Sequence, residues 1–268
     1  MVALELLLAS LVVVGQGQAL ELVYPDEPNL SSVEVQWSGH AIPFVHHGDR
    51  WLAIVGVDLD TTPGAHKVDV TFRYGDGHSR VDPQPITVEK KQFPTTELKV
   101  EDRYVELSPE DQARANSEAE ETLAIYATVT PEAYWTEPFQ APIRGAIDGR
   151  NFGHRRVFNG QARNPHAGAD LRAQTGTPVY AANRGRVVLA KNLFYSGNAV
   201  FIDHGLGVYS SYLHLSEIKV APGTLVERGA LLGLSGATGR VTGPHLHWGV
   251  RIIDARVDPF SLLKLAAE

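Results

Sequence analysis

The chain has 268 residues, enough for one large domain or two modest ones. An apolar fraction of 43% and a charged fraction of 21% fit a folded globular chain, while a net charge of −7 argues against a nucleic-acid partner, which needs a basic face. There is no cysteine, so disulfides, thiolate metal sites and cysteine nucleophiles are excluded.

Residues 6–14 form a short apolar run, followed by Gly15-Gln16-Gly17-Gln18-Ala19. Gly17 and Ala19 are the small residues a leader places just before its cleavage point, so residues 1–19 read as a signal peptide, although Glu5 stands where a basic residue is usual. The run is short of the ~20 apolar residues a membrane-spanning helix needs, and no other segment reads as transmembrane.

Residues 20–93 read as short strands between turns. Residues 33–37 alternate apolar and polar side chains, 51–57 are an apolar run, and 67–74 alternate again, with Val68, Val70 and Phe72 on one face. Another strand begins at 86–88. Pro63-Gly64 and Asp76-Gly77 punctuate the series. This predicts a β-sandwich-like N-terminal domain. Its histidines, His40, His46, His47, His66 and His78, form no metal-ligand pattern, and His46-His47 reads as a polar loop.

Residues 94–137 read as a helical connector. Ser108 is a helix cap, Pro109 suits the first helical position, and Asp111 stands where a capping-box acid would. Residues 110–126 carry few large apolar side chains, which predicts a mostly exposed helix between two domains.

From 138 to 268 the composition turns to Gly, Pro, Val and Leu, with strands expected at 178–181, 185–190, 199–203, 208–213 and 245–252. No phosphate-binding glycine loop and no nucleophile elbow is present. In a strand, His245 and His247 emerge on one face, with Leu246 and Trp248 turned into the core. An imidazole and a carboxylate stand four apart in His166-Ala167-Gly168-Ala169-Asp170, where Gly168 permits a bend. Alternation puts Ser210, Tyr212 and His214 on one face of another strand. Alone, each pattern also fits a polar strand face or a turn.

Residues from about 152 to 259 resemble the zinc metallopeptidases of the lysostaphin and LytM type, family M23. The resemblance runs through His166-x-Gly168-x-Asp170, Gly176-Thr177-Pro178-Val179, Gly197-Asn198, Asp203-His204-Gly205, Tyr212-Leu213-His214-Leu215, an ordered series of glycines, and Gly243-Pro244-His245-Leu246-His247. It implies a mainly β protein whose C-terminal domain (138–268) is an antiparallel β metallopeptidase domain. It also implies Zn2+ held by His166, Asp170 and His247, with His214 and His245 as catalytic histidines. Trp248 stands where the family usually has Phe or Tyr, and Ala169 where it has a larger aliphatic. His204 reads as structural, and Asn198 and Arg163 as groove residues.

The implied substrate is peptidoglycan, cut in stem peptides, cross-links or cross-bridges. That places the protein outside the cytoplasm, in the periplasm, cell envelope or extracellular space. The rival reading is a non-enzymatic or autoinhibited wall-binding regulator of another hydrolase.

Overall fold

The structure is a computed structural model that describes residues 11–145, 149 and 151–265. Its N-terminal half is two facing sheets. One is five-stranded, in the order Val12–Gly15, Ser79–Glu89, Gly64–Tyr74, Leu30–Trp37, His40–Ile42. The other is three-stranded, in the order Ala19–Pro25, Arg50–Gly56, Val45–His47. Alternation decides what each face does. Val33, Val35, Val68, Val70 and Phe72 of the larger sheet meet Leu20, Leu22, Ala53 and Val55 of the smaller in one core. Asp69, between Val68 and Val70, and Arg73, after Phe72, are exposed. His46 and His47 lie in a strand rather than a loop, paired with Trp51 and Arg50.

The opposite face of the smaller sheet is also apolar. Ala19, Leu52 and Ile54 pack into the core of the C-terminal half with Val250, Ile252 and Leu262. The two halves are also tied by polar groups. Arg256 donates to both oxygens of Asp58, at 2.6 and 2.9 Å, and the Ala19 N–H donates to Ser261 Oγ at 2.9 Å.

Residues 1–10 of the segment expected to be a leader lie outside the described residues. Its later part is built into the fold. Val12–Gly15 pairs in parallel with Ile86 to Glu89, Val14 is buried, and the Gly17 carbonyl accepts from the Asp258 N–H at 2.7 Å. A cut after Ala19 would remove this edge strand.

The C-terminal half is built on an antiparallel sheet in the order Gly168–Arg172, His245–Ile252, Val208–Leu215, Gly197–Asp203, Gly185–Leu193, Leu225–Val226. Ala255–Val257 also pairs with His245–Ile252. One face of this sheet carries Leu171, Val187, Val200, Tyr212, Leu246 and Trp248. A three-stranded sheet of Pro178–Tyr180, Leu231–Leu234 and Glu217–Ile218 contributes Val179 and Leu232 to the same core.

The helix Pro109–Tyr126 begins as its sequence predicts, with the Asp111 N–H donating to Ser108 Oγ at 3.1 Å. It does not stand free between two halves. Ile125 and Tyr126 pack on Leu189, Leu193, Ala199 and Phe201, the outer face of the C-terminal sheet. Glu118 accepts from the Phe194 N–H at 2.6 Å and Lys191 pairs with Glu121. The strand Thr95–Leu98 pairs in parallel with Arg155–Phe158, and Trp135 and Phe139 enter the C-terminal core. Much of 94–137 is therefore an outer layer of the C-terminal half.

Candidate active site

Register brings the histidine signatures together. Asp170 lies opposite His247, and His247 lies opposite Leu213, across three adjacent strands. Leu171, Leu246 and Trp248 fill the core face, so Asp170 and His247 emerge together on the other face. Gly168 is required by proximity: a Cβ there would stand 2.5 Å from His247 Nε2 and 2.6 Å from the Trp248 carbonyl.

The expected face of His214 needs correction. Strict alternation sends it with Tyr212 into the core. The register with the neighbouring strand slips between Asn198 and Val200, and His214 takes φ +64°. This bulge turns His214 to the face that carries His247. Its ring centre lies 4.9 Å from that of His245 and 6.1 Å from that of His247.

Three donor atoms converge. His166 Nε2 lies 2.8 Å from His247 Nδ1 and 3.0 Å from Asp170 Oδ1, and His247 Nδ1 lies 2.9 Å from the same oxygen. His166 Nδ1 faces the Asn151 carbonyl at 2.9 Å, an atom that can only accept. The proton therefore sits on Nδ1, and Nε2 of the neutral ring offers a lone pair. Asp170 Oδ2 is held by Asn151 Nδ2 at 2.9 Å and by Arg156 at 2.8 Å, which leaves Oδ1 for the centre. Two imidazole nitrogens and a carboxylate oxygen facing one another are poor mutual partners but a good cradle for a cation. An ion with bonds of roughly 2 Å to nitrogen and oxygen needs its donors about 3 Å apart. Among the described residues, His166, Asp170 and His247 form a group whose donor atoms could hold a metal ion.

His245 and His214 stand beside this group. The His245 Nδ1–H donates to the Gly243 carbonyl at 2.8 Å, and the His214 Nδ1–H to the Thr238 carbonyl at 2.9 Å. In each, Nε2 is left for other chemistry. His245 Nε2 is 3.6 Å from Asp170 Oδ1, too far for a hydrogen bond.

Burial sets the electrostatics. It pushes His166 down to about 4, and pushes His214 down to about 3 with the help of neighbouring His247 and His245. Both are neutral near pH 7. Burial alone would raise Asp170, but its close contacts with the neighbouring imidazoles of His166 and His247 outweigh that and hold it far below the usual carboxylate range.

Other sequence expectations fall as follows. His204 is fully buried, with Nδ1 donating to the Arg184 carbonyl and Nε2 bonded to Ser210 Oγ, which fits a structural role. Arg163 lines the cleft beside the metal group. Asn198 instead braces the bulge, donating to the Leu215 carbonyl at 3.0 Å. Asn151 and Arg156, which fix Asp170, were not legible. Asn151 is fifteen residues from His166, and no spacing rule links a carbonyl to a distant imidazole.

Comparison with known proteins gives a consistent result. The model of peptidase family M23 matches residues 164–259, and that of the M23 N-terminal domain matches 27–79. A crystal structure from Pseudomonas aeruginosa assigned to peptidase M23 aligns with a TM-score of 0.70 at 32% identity, covering 92% of this chain and 94% of that one. Peptidoglycan DD-endopeptidase ShyA of Vibrio cholerae is 50% identical over 99 residues, 37% of this chain and 23% of the relative. DD-carboxypeptidase/endopeptidase Mpg of Neisseria meningitidis is 43% identical over 97 residues, 36% of this chain and 22% of the relative. The matched part thus spans about a quarter of the length of these two curated relatives.

Proposed function

Because the chain belongs to peptidase family M23, we propose that it is a zinc-dependent endopeptidase that hydrolyses peptide bonds in peptidoglycan stem peptides, cross-links or cross-bridges. The observation that carries this reading is the convergence of His166 Nε2, Asp170 Oδ1 and His247 Nδ1 within 3.0 Å, with two further imidazoles beside them. Zinc at such a set supplies a Lewis acid for the scissile carbonyl and a water whose pKa falls to roughly 7.

The remaining work falls to side chains. Neutral His166, His247 and ionised Asp170 would form the ligand set. Asn151 and Arg156 hold Asp170 in one orientation, so its free oxygen needs no rearrangement to bind. His245 and His214, each fixed through Nδ1 to a backbone carbonyl, present Nε2 as proton acceptors. Between them they take the proton released in the attack and return it to the leaving amine.

Peptidoglycan lies outside the cytoplasmic membrane, so this reading includes export. No helix among the described residues is long and apolar enough to cross a membrane.

The reading is tested by digesting purified sacculi with zinc-loaded protein and with His214→Ala and His245→Ala variants. The expected result is peptide release by the unaltered chain and a drop of about 10²-fold or more in each variant, with zinc retained. Equal release by all, or none by any, contradicts it.

A further inference from the structure

The cleft beside the metal ligands has a charge pattern that hydrolysis itself does not use. It has a volume of about 540 Å³, and His166 and His247 form part of its wall. Arg156, Arg163 and Arg240 also line it, and among the described residues no aspartate or glutamate does. This is unexpected on a chain of net charge −7.

Arg156 has an acidic partner, Asp170 at 2.8 Å. Among the described residues, Arg163 and Arg240 make no ion pair. Arg163 donates to Gln161 Oε1 at 2.8 Å and to the Val105 carbonyl at 3.3 Å. Arg240 stacks over the Tyr195 ring at 4.2 Å and the Phe158 ring at 4.7 Å. Phe158 also carries Arg156, at 5.9 Å, so one ring gathers two guanidinium groups on one wall. Burial lowers Arg240 to about 10, and repulsion from Arg156 and Arg163 adds to the effect. Like charges held together without a counter-ion are unfavourable, and an incoming anion relieves that. A guanidinium whose central carbon lies over aromatic rings still has N–H donors to offer, and that fork matches a carboxylate in two-point geometry.

We propose that this cleft is a carboxylate-recognition subsite, in which Arg163 and Arg240 bind a free carboxylate of the peptide whose scissile bond lies at the metal ligands. The protein then discriminates between peptides with free and with amidated carboxylates. The proposal rests on the peptidoglycan-peptide reading above and adds which chemical form of the peptide is taken. Arg163 and Arg240 are specificity residues and take no part in bond cleavage.

The test measures binding apart from turnover. A monomeric muropeptide, which has no cross-link to cut, is titrated into the full zinc-loaded chain in its native form and after carbodiimide amidation. The native form is expected to bind at least about tenfold more tightly, a difference of about 1.4 kcal/mol. In Arg163→Gln and Arg240→Gln the ratio is expected to fall to within about twofold. Arg163→Gln changes a partly exposed side chain, so it keeps the test sound if loss of Arg240 disturbs the fold. Equal affinity for the two forms in the unaltered chain overturns the proposal. So does discrimination that survives in both variants, which would place the carboxylate on zinc alone. Digestion of sacculi is scored separately: failure there counts against the peptidase reading, while the binding ratio decides the subsite.

Discussion

At the scale of single residues, the site depends as much on what surrounds the ligands as on the ligands. Asn151 touches it three times: its carbonyl meets His166, its Nδ2 donates to Asp170 Oδ2, and its Oδ1 accepts from the Asp170 N–H. Arg156 neutralises the outer oxygen of that carboxylate. Asn151→Ala is expected to weaken zinc binding about 10- to 100-fold, measured by competition with a chelator, while the ligands themselves stay intact. Unchanged affinity would show that Asp170 is oriented without it.

Buried imidazoles also set the acid limit of the fold. Burial pushes His204 down to about 4, against an ordinary value near 6.5 in the unfolded chain. The unfolded state therefore binds more protons between these values. The stabilisation is complete above about pH 6.5 and is lost as pH falls through about 4. His204 alone accounts for on the order of 3 kcal/mol across that window. Denaturant titrations of the zinc-free chain at pH 7 and pH 4 are expected to show a fall of at least that order. A flat profile would mean that His204 is hydrated and free to protonate.

At the scale of elements, the bulge in Val208–Leu215 matters most. The pairing slips beside Asn198, and His214 takes a left-handed backbone conformation that ordinary strands avoid. Alternation alone put this histidine on one face with Ser210 and Tyr212, and Tyr212 lies in the core. The same rule held for His245 and His247, because their strand is regular from His245 to Ile252. Side-chain periodicity was thus legible in the sequence wherever pairing was unbroken. The slip was not legible, because it depends on a partner strand and on the brace from Asn198. The Ser108 cap was readable since every atom it needs lies within three residues. The docking of the same helix was not, because its contacts with Leu193, Phe194 and Phe201 lie about seventy residues or more away in sequence, as the Glu118 bond to Phe194 shows.

The first described strand carries a further prediction. Val12–Gly15 closes one edge of the larger N-terminal sheet, and Gly17 and Ala19 bond to the C-terminal half. A chain beginning at Leu20 is expected to melt several degrees below one beginning at Leu11, by differential scanning fluorimetry. Equal melting temperatures would show that the strand adds nothing to stability.

At the scale of the whole molecule, the smaller N-terminal sheet works on both faces. Leu20, Leu22, Ala53 and Val55 complete the sandwich, while Ala19, Leu52 and Ile54 complete the core beneath the active-site sheet. Asp58 and Arg256 fasten the same junction. The N-terminal half is thereby part of the support for the strand that carries His245 and His247. The cleft itself has walls from two sources: Val105 and Leu107 from the segment between the halves, and Arg156, Arg163 and Arg240 from the C-terminal half. Under the proposals above, a peptide entering it would meet His166 and His247 at one side and the guanidinium groups of Arg163 and Arg240 at the other.

The central claim is that His166, Asp170 and His247 hold a zinc ion that cuts wall peptides. The most direct measurement follows peptide release from sacculi by the intact chain after chelation, and again after zinc is restored, beside a His247→Ala variant treated in the same way. The account predicts that chelation abolishes release, that zinc restores it in the intact chain, and that the variant stays inactive at equimolar zinc. Release that survives chelation, or a variant restored as fully as the intact chain, would contradict it.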